Sequence, residues 1–172
     1  MMSRALAIIV VAELLGTSLW FSANAVADTL VGTWGVGAGG IGSLTSAVQA
    51  GFIAGTLVFA LTGFADRYPA SRIFAGCALL GAACNAGLAW RAQSLGVAMG
   101  WRFATGFALA GIYPVGMKLV VTWTPQHTGH ALGWLVGMLT LGTALPHLVR
   151  AIGIALDWRA VIVASSLLAL VA

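Results

Sequence analysis

Glu13 and Arg102 are the ionisable side chains that stand deep inside apolar runs of this sequence. An acid and a base in such places could pair, take up a proton or hold a charged ligand. A charge at the centre of a membrane helix costs about 2.5–3.5 kcal/mol on insertion scales, so such residues pair, face a water-filled cavity or mark a ligand or ion pathway. Glu13 lies eight residues past Ala5 and Arg102 seven past Leu95, or ~12 and ~10 Å along a helix. On spans that alternate in direction, both fall towards mid-membrane. Glu13, Thr17, Trp20 and Asn24 recur at spacings of four, three and four, and Arg102, Gly106, Leu109 and Tyr113 repeat that pattern. Each set is one helical stripe, and a polar stripe in lipid must meet protein or water. The expectation is a cavity lined by Glu13, Thr17, Trp20, Asn24, Arg102 and Tyr113, with Gln49 added from the second apolar run. Interhelical hydrogen bonding explains Thr17 and Gln49 equally well, and interface solvation also explains Asn24.

The elements that must carry these residues are membrane helices. Apolar residues make up 60% of the 172-residue chain and charged residues 7%, against about 25% charged in a soluble domain. The mean hydropathy is +1.01. These values predict an all-α integral membrane protein, read as a single domain over 1–172. Apolar runs mark spans at about 5–27, 41–64, 73–90, 95–117 and 131–148, each near the 17–25 residues that cross a bilayer. A sixth run, 160–172, is short and reads as cut off. The amino-terminal run continues past the length of a signal-peptide core without a small-residue cleavage site, so it reads as a first span. The polar stretches "ADRYPASR" and "TWTPQHTGH" read as loops, with Pro69 and Pro125 as breakers.

Small residues predict close helix packing. Gly51 and Gly55, and Gly133 and Gly137, are small-xxx-small pairs. Pro114 and Pro146 are expected to interrupt the fourth and fifth helices, each removing a backbone hydrogen bond. With a cytoplasmic amino terminus, Arg4, Arg67, Arg72 and Lys118 lie inside, against Arg91, Arg150 and Arg159 outside. This is a slight positive-inside bias.

Other chemistries are poorly supported. His127, His130 and His147 lack the spacing of a metal set, so no metal and no cofactor is expected. No nucleophile–base constellation or phosphate-cradling loop stands out, which argues against an enzyme. The excess of cations is scattered, without the basic patch of a nucleic-acid binder. Cys77 and Cys84 are seven residues apart in one run, ~10 Å along a helix and too far for a bridge.

The stretches "TGFADRYPASR" and "RFATGFALAGIYP" resemble the major facilitator superfamily. Asp66 and Arg67 match the Asp-Arg of that family's second-to-third loop, and Arg102 and Gly106 match its fourth-span Arg-x-x-x-Gly. Thr62 stands where the loop motif usually opens with glycine, and Pro69-Ala70-Ser71 replaces its Gly-Arg-Arg. The resemblance implies a six-helix bundle, one half of a transporter, with helices one and four lining a central cavity. It also implies a gating loop at Asp66, Arg67 and Arg72 and a cytoplasmic amino terminus. The expected function is the amino-terminal half of a secondary active transporter in a bacterial-type inner membrane. Its partners would be the lipid bilayer, a small solute, a candidate coupling proton and a carboxy-terminal six-helix half. The alternatives are a non-transporting helical membrane partner and an inactive truncated product.

Overall fold

A run of glycines and alanines cannot fill space by itself, so in this chain the helices approach until their backbones touch. The computed structural model describes residues 3–152 and 157–172, which are helical almost throughout. The first apolar run forms α1 (Arg4–Thr17), a turn, a short 3-10 segment (Asn24–Val26) and α2 (Ala27–Trp34). Ser3 opens α1, its hydroxyl accepting from the Leu6 amide as an N-cap. The second run is α3 (Ala38–Thr62), ended by Gly63 at φ 61°, a left-handed turn that glycine adopts without a Cβ penalty. A single turn, α4 (Phe64–Arg67), leads through Pro69 into α5 (Ala70–Arg91). The fourth run is split into α6 (Leu95–Leu109) and α7 (Tyr113–Trp123). Then come α8 (Thr128–Ile152) and α9 (Trp158–Val171).

Four of these stretches are long and apolar enough to cross a membrane: Gly39–Thr62, Ala70–Arg91, Leu95–Trp123 and Thr128–Ile152. The first run reaches span length only across its break, and α9 has 14 residues. The principal neighbours are α3 with α6, α5 with α6 and α9, and α1 with α8. Among the described residues, buried side chains form three clusters. Leu30, Leu44, Leu88 and Trp158 fill the end that holds α2. Leu19, Val48, Phe74, Leu109 and Ile112 fill the middle. Leu6, Val10, Val120 and Leu135 fill the end that holds the start of α1. Outside this core, Ile8, Ile53, Leu79, Leu141 and Leu167 are exposed, as the surface of a bundle solvated by lipid requires.

The small residues divide into two kinds. Gly51, Gly55 and Gly106 make the α3–α6 seam. A Cβ at Gly55 would lie 2.7 Å from the Phe107 carbonyl oxygen, and one at Gly106 would lie 2.8 Å from the Val48 carbonyl carbon. Gly133 and Gly137 depart from expectation: a Cβ on either would meet nothing within 4 Å. They lie on the exposed side of α8, so the pair seats no helix among the described residues. The prolines divide too. Pro114 sits in the first turn of α7, where its missing N–H is tolerated, and the helix breaks just before it at residues 110–112. Pro146 does not interrupt the fifth helix, because α8 runs through it from Thr128 to Ile152. The residue whose carbonyl the ring crowds is Gly142, which lies tight against Thr17 and Leu14 of α1, and packing holds the helix across the lost bond.

Candidate functional site

The turn after α1 leaves the carbonyls of Leu19 and Trp20 unspent on a regular helix, and Arg102 of α6 takes them. Its Nη1 donates to the Leu19 carbonyl at 3.0 Å, to Ser22 Oγ at 3.3 Å and to Asn85 Oδ1 at 3.3 Å. Its Nη2 donates to the Trp20 carbonyl. The side chain is fully buried. A guanidinium in such a place is tolerated because its donors meet fixed acceptors. Only Nε lacks a partner among the described residues.

Asn85 of α5 is the hub behind Arg102. Its Oδ1 accepts from Ser22 Oγ at 2.6 Å as well as from Arg102. Its Nδ2 donates to the Ile162 carbonyl and to Ser166 Oγ, both at 3.0 Å. Both lone-pair sites and both protons of the amide are in use, which fixes which way it points. A second tie runs from Ser18 Oγ to the Ser165 carbonyl at 3.1 Å. The break is thus bound to α5, α6 and α9 by a buried polar network. The sequence reading missed Asn85, Ser22 and Ser166. The rule that singled out Arg102 also applies to an asparagine in the middle of an apolar helix.

Glu13 lies elsewhere. It is fully buried on α1, and neither carboxylate oxygen has a hydrogen-bond partner among the described residues. Its Oε2 occupies the space that a side chain at Gly116 of α7 would need, and Leu135 of α8 is the next neighbour of that space. No ion pair joins Glu13 to Arg102 among the described residues, where the salt bridges are Lys118–Asp66 and Arg159–Asp157. The two buried charges serve different seams: Arg102 faces the break, and Glu13 faces α7 and α8.

The other expected cavity residues are distributed between these seams. Thr17 is buried, donating to the Glu13 carbonyl at 2.7 Å, and its hydroxyl sits where Gly142 leaves room on α8. The Trp20 ring stacks on Phe52 of α3 at 4.8 Å. Asn24 donates from Nδ2 to Thr45 Oγ1 at 2.8 Å, while its Oδ1 is buried without a partner among the described residues. Trp20, Asn24 and Arg102 therefore share the break region. Tyr113 opens α7 and packs against the cluster of Leu6, Val10 and Leu135. Gln49 is exposed on α3, apart from the buried networks.

At the loop, Lys118 of α7 was not singled out from the sequence as a partner. Its Nζ donates to Asp66 Oδ1 at 2.6 Å and to the Ala65 carbonyl at 2.7 Å. The Lys118 hydrogen bond and charge hold the Asp66 carboxyl below the usual carboxylate range. Arg67 and Arg72 are exposed and make no ion pair or hydrogen bond among the described residues.

In comparisons with known proteins, the model of the Major Facilitator Superfamily matches residues 6–172. A search of the curated proteins finds no match.

Proposed function

Because this chain belongs to the Major Facilitator Superfamily, a family of membrane transporters, we propose that it is the amino-terminal half of a secondary active transporter. In this reading it moves a small solute by alternating access, with Glu13 as the group that carries a proton. The observation that supports this most is the unpartnered burial of Glu13. A carboxylate without a donor is expensive in a dry interior. A proton therefore arrives as the α1–α7 seam closes and leaves as water enters it. Arg102 is the fixed one of the two buried charges, because its terminal nitrogens already bind the Leu19 and Trp20 carbonyls, Ser22 and Asn85. The solute meets the break region instead. Trp20 offers a ring there, and Arg102 Nε and Asn24 Oδ1 offer an unmet donor and an unmet acceptor. Tyr113 and Gln49 complete the cavity from α7 and α3, and Thr17 ties α1 to α8 at its edge.

A second six-helix bundle supplies the other wall. The small, exposed positions of α8, Gly133 and Gly137, support such a partner, as they leave room for a close helix. Asp66, Arg67 and Arg72, with Lys118, form the gate on the side that holds the amino terminus. That side is cytoplasmic in this reading, in a plasma membrane of bacterial type, consistent with the slight excess of cations there once Lys118 is counted with Arg4, Arg67 and Arg72.

The test uses proteoliposomes that hold the chain together with the second bundle, under an imposed proton gradient. Glu13→Gln is expected to abolish accumulation against a gradient while leaving solute exchange in place. Accumulation by Glu13→Gln at the unmodified rate would remove Glu13 from the coupling role.

A further inference from the structure

Outside the networks described above, a groove of about 350 Å³ runs down the outer face of α5, from the loop before it. At the loop end stand Phe64, Tyr68 and Arg72. The floor follows one helical face through Ile73, Gly76, Cys77 and Leu80, at spacings of three and four. From Arg72 to Leu80 is ~12 Å of helix, most of the depth of one ~15 Å leaflet. Gly76 makes the groove: a Cβ there would meet nothing within 4 Å. The Phe64 and Tyr68 rings contact each other at 4.8 Å and wall one side.

Charge identifies what belongs in it. On the membrane face that carries this loop and the start of α1, the loop acid is Asp66, and Lys118 holds it at 2.6 Å. Arg4, Arg67 and Arg72 stand on that face without an ion-pair partner among the described residues. The groove itself contains no acid. A cation at interface depth above an apolar channel complements a molecule with an anionic head and a hydrocarbon tail.

We propose that the α5 groove is a binding site for one anionic phospholipid, its phosphate on Arg72 beside Tyr68 and an acyl chain laid over Gly76 towards Leu80. The site shares Arg72 with the gate of the transport reading but uses neither Glu13 nor the break, so lipid retention and solute accumulation report on the two readings separately. It lies on α5 and α4, whereas the α8 positions left open for a helical partner are on another element.

The full chain is reconstituted in nanodiscs of phosphatidylglycerol and phosphatidylcholine in equal parts, and the lipids it retains are counted by native mass spectrometry. Phosphatidylglycerol is expected to be retained about fivefold over phosphatidylcholine, the factor that one juxtamembrane cation is worth. Arg72→Gln should bring the ratio to parity. Gly76→Leu, which fills open space, should cost the retained lipid of both kinds. Arg91→Gln, on the opposite membrane face, should leave both unchanged. An unaltered preference in Arg72→Gln overturns the headgroup assignment, and unaltered retention in Gly76→Leu overturns the acyl channel. Inorganic phosphate that displaces nothing supports a lipid. Phosphate that competes equally in the unmodified chain and in Gly76→Leu shows a simple anion site and overturns the proposal.

Discussion

Replacing Asn85 with leucine tests the network behind Arg102 most directly. The amide makes bonds to Ser22, Arg102, Ile162 and Ser166, and leucine makes none of them. Side-chain hydrogen bonds between membrane helices average ~0.6 kcal/mol, which gives about 2.4 kcal/mol for the four. The bond from Arg102 involves a charge and falls nearer ~1.5–3 kcal/mol, adding about another 1–2. Lipid tails are as apolar as leucine, so the aliphatic side chain returns little of this. The net loss is about 3–4 kcal/mol, which for a chain of this size lowers the melting temperature by roughly 6–16 °C. Asn85→Asp separates geometry from charge. It keeps an oxygen for Ser22 and Arg102 but turns a second one towards the Ile162 carbonyl, acceptor against acceptor. Its stability should fall between the other two. The assay is thermal unfolding in detergent, followed by helicity. If Asn85→Leu lies within ~0.5 kcal/mol of the unmodified chain in stability, or Asn85→Asp is less stable than Asn85→Leu, the network does not hold the break.

Two further outcomes follow from packing and from the loop. Gly106→Ala should destabilise by up to about 2 kcal/mol: overpacking against the Val48 backbone costs ~1–3 kcal/mol and helix propensity returns ~1. Gly100→Ala in the same helix meets open space and should gain stability in the same unfolding assay; equal effects would refute the seam. Because Lys118 lowers the Asp66 titration, the contribution of their ion pair is present above the ordinary carboxylate range and lost as pH falls through the lowered value. Lys118→Met should return the Asp66 titration, followed by carboxyl NMR, upward to the ordinary carboxylate range, and an unmoved titration would deny the pairing.

Much of the fold was legible because lipid makes hydropathy an almost direct record of span positions. The predicted 73–90 and 131–148 are the interiors of Ala70–Arg91 and Thr128–Ile152, and the apolar criterion simply stopped short of the helix ends. The break in the first run was not legible. Residues 18–26 contain no proline or glycine, and the carbonyls freed there are taken by Arg102, a residue some eighty positions away. The stripe through Glu13, Thr17, Trp20 and Asn24 assumed an unbroken helix, so it put on one face residues that the turn divides between seams. Glycine spacing showed that Gly51 and Gly133 permit close approach. It could not say to what, and one meets α6 while the other meets nothing within 4 Å.

The partners of Arg102 have an electrical consequence. Backbone carbonyls, a serine and an asparagine orient towards the guanidinium, but they carry no net charge with which to cancel it. An arginine paired with a carboxylate is a dipole in the transmembrane field, whereas this one is a monopole. Carrying an elementary charge across 100 mV is worth about 2.3 kcal/mol, so displacing the break along the membrane normal by a fifth of the field changes its energy by roughly 0.5 kcal/mol. Any state of the bundle that shifts this turn towards one face is accordingly weighted by the membrane voltage, whatever the pH on either side.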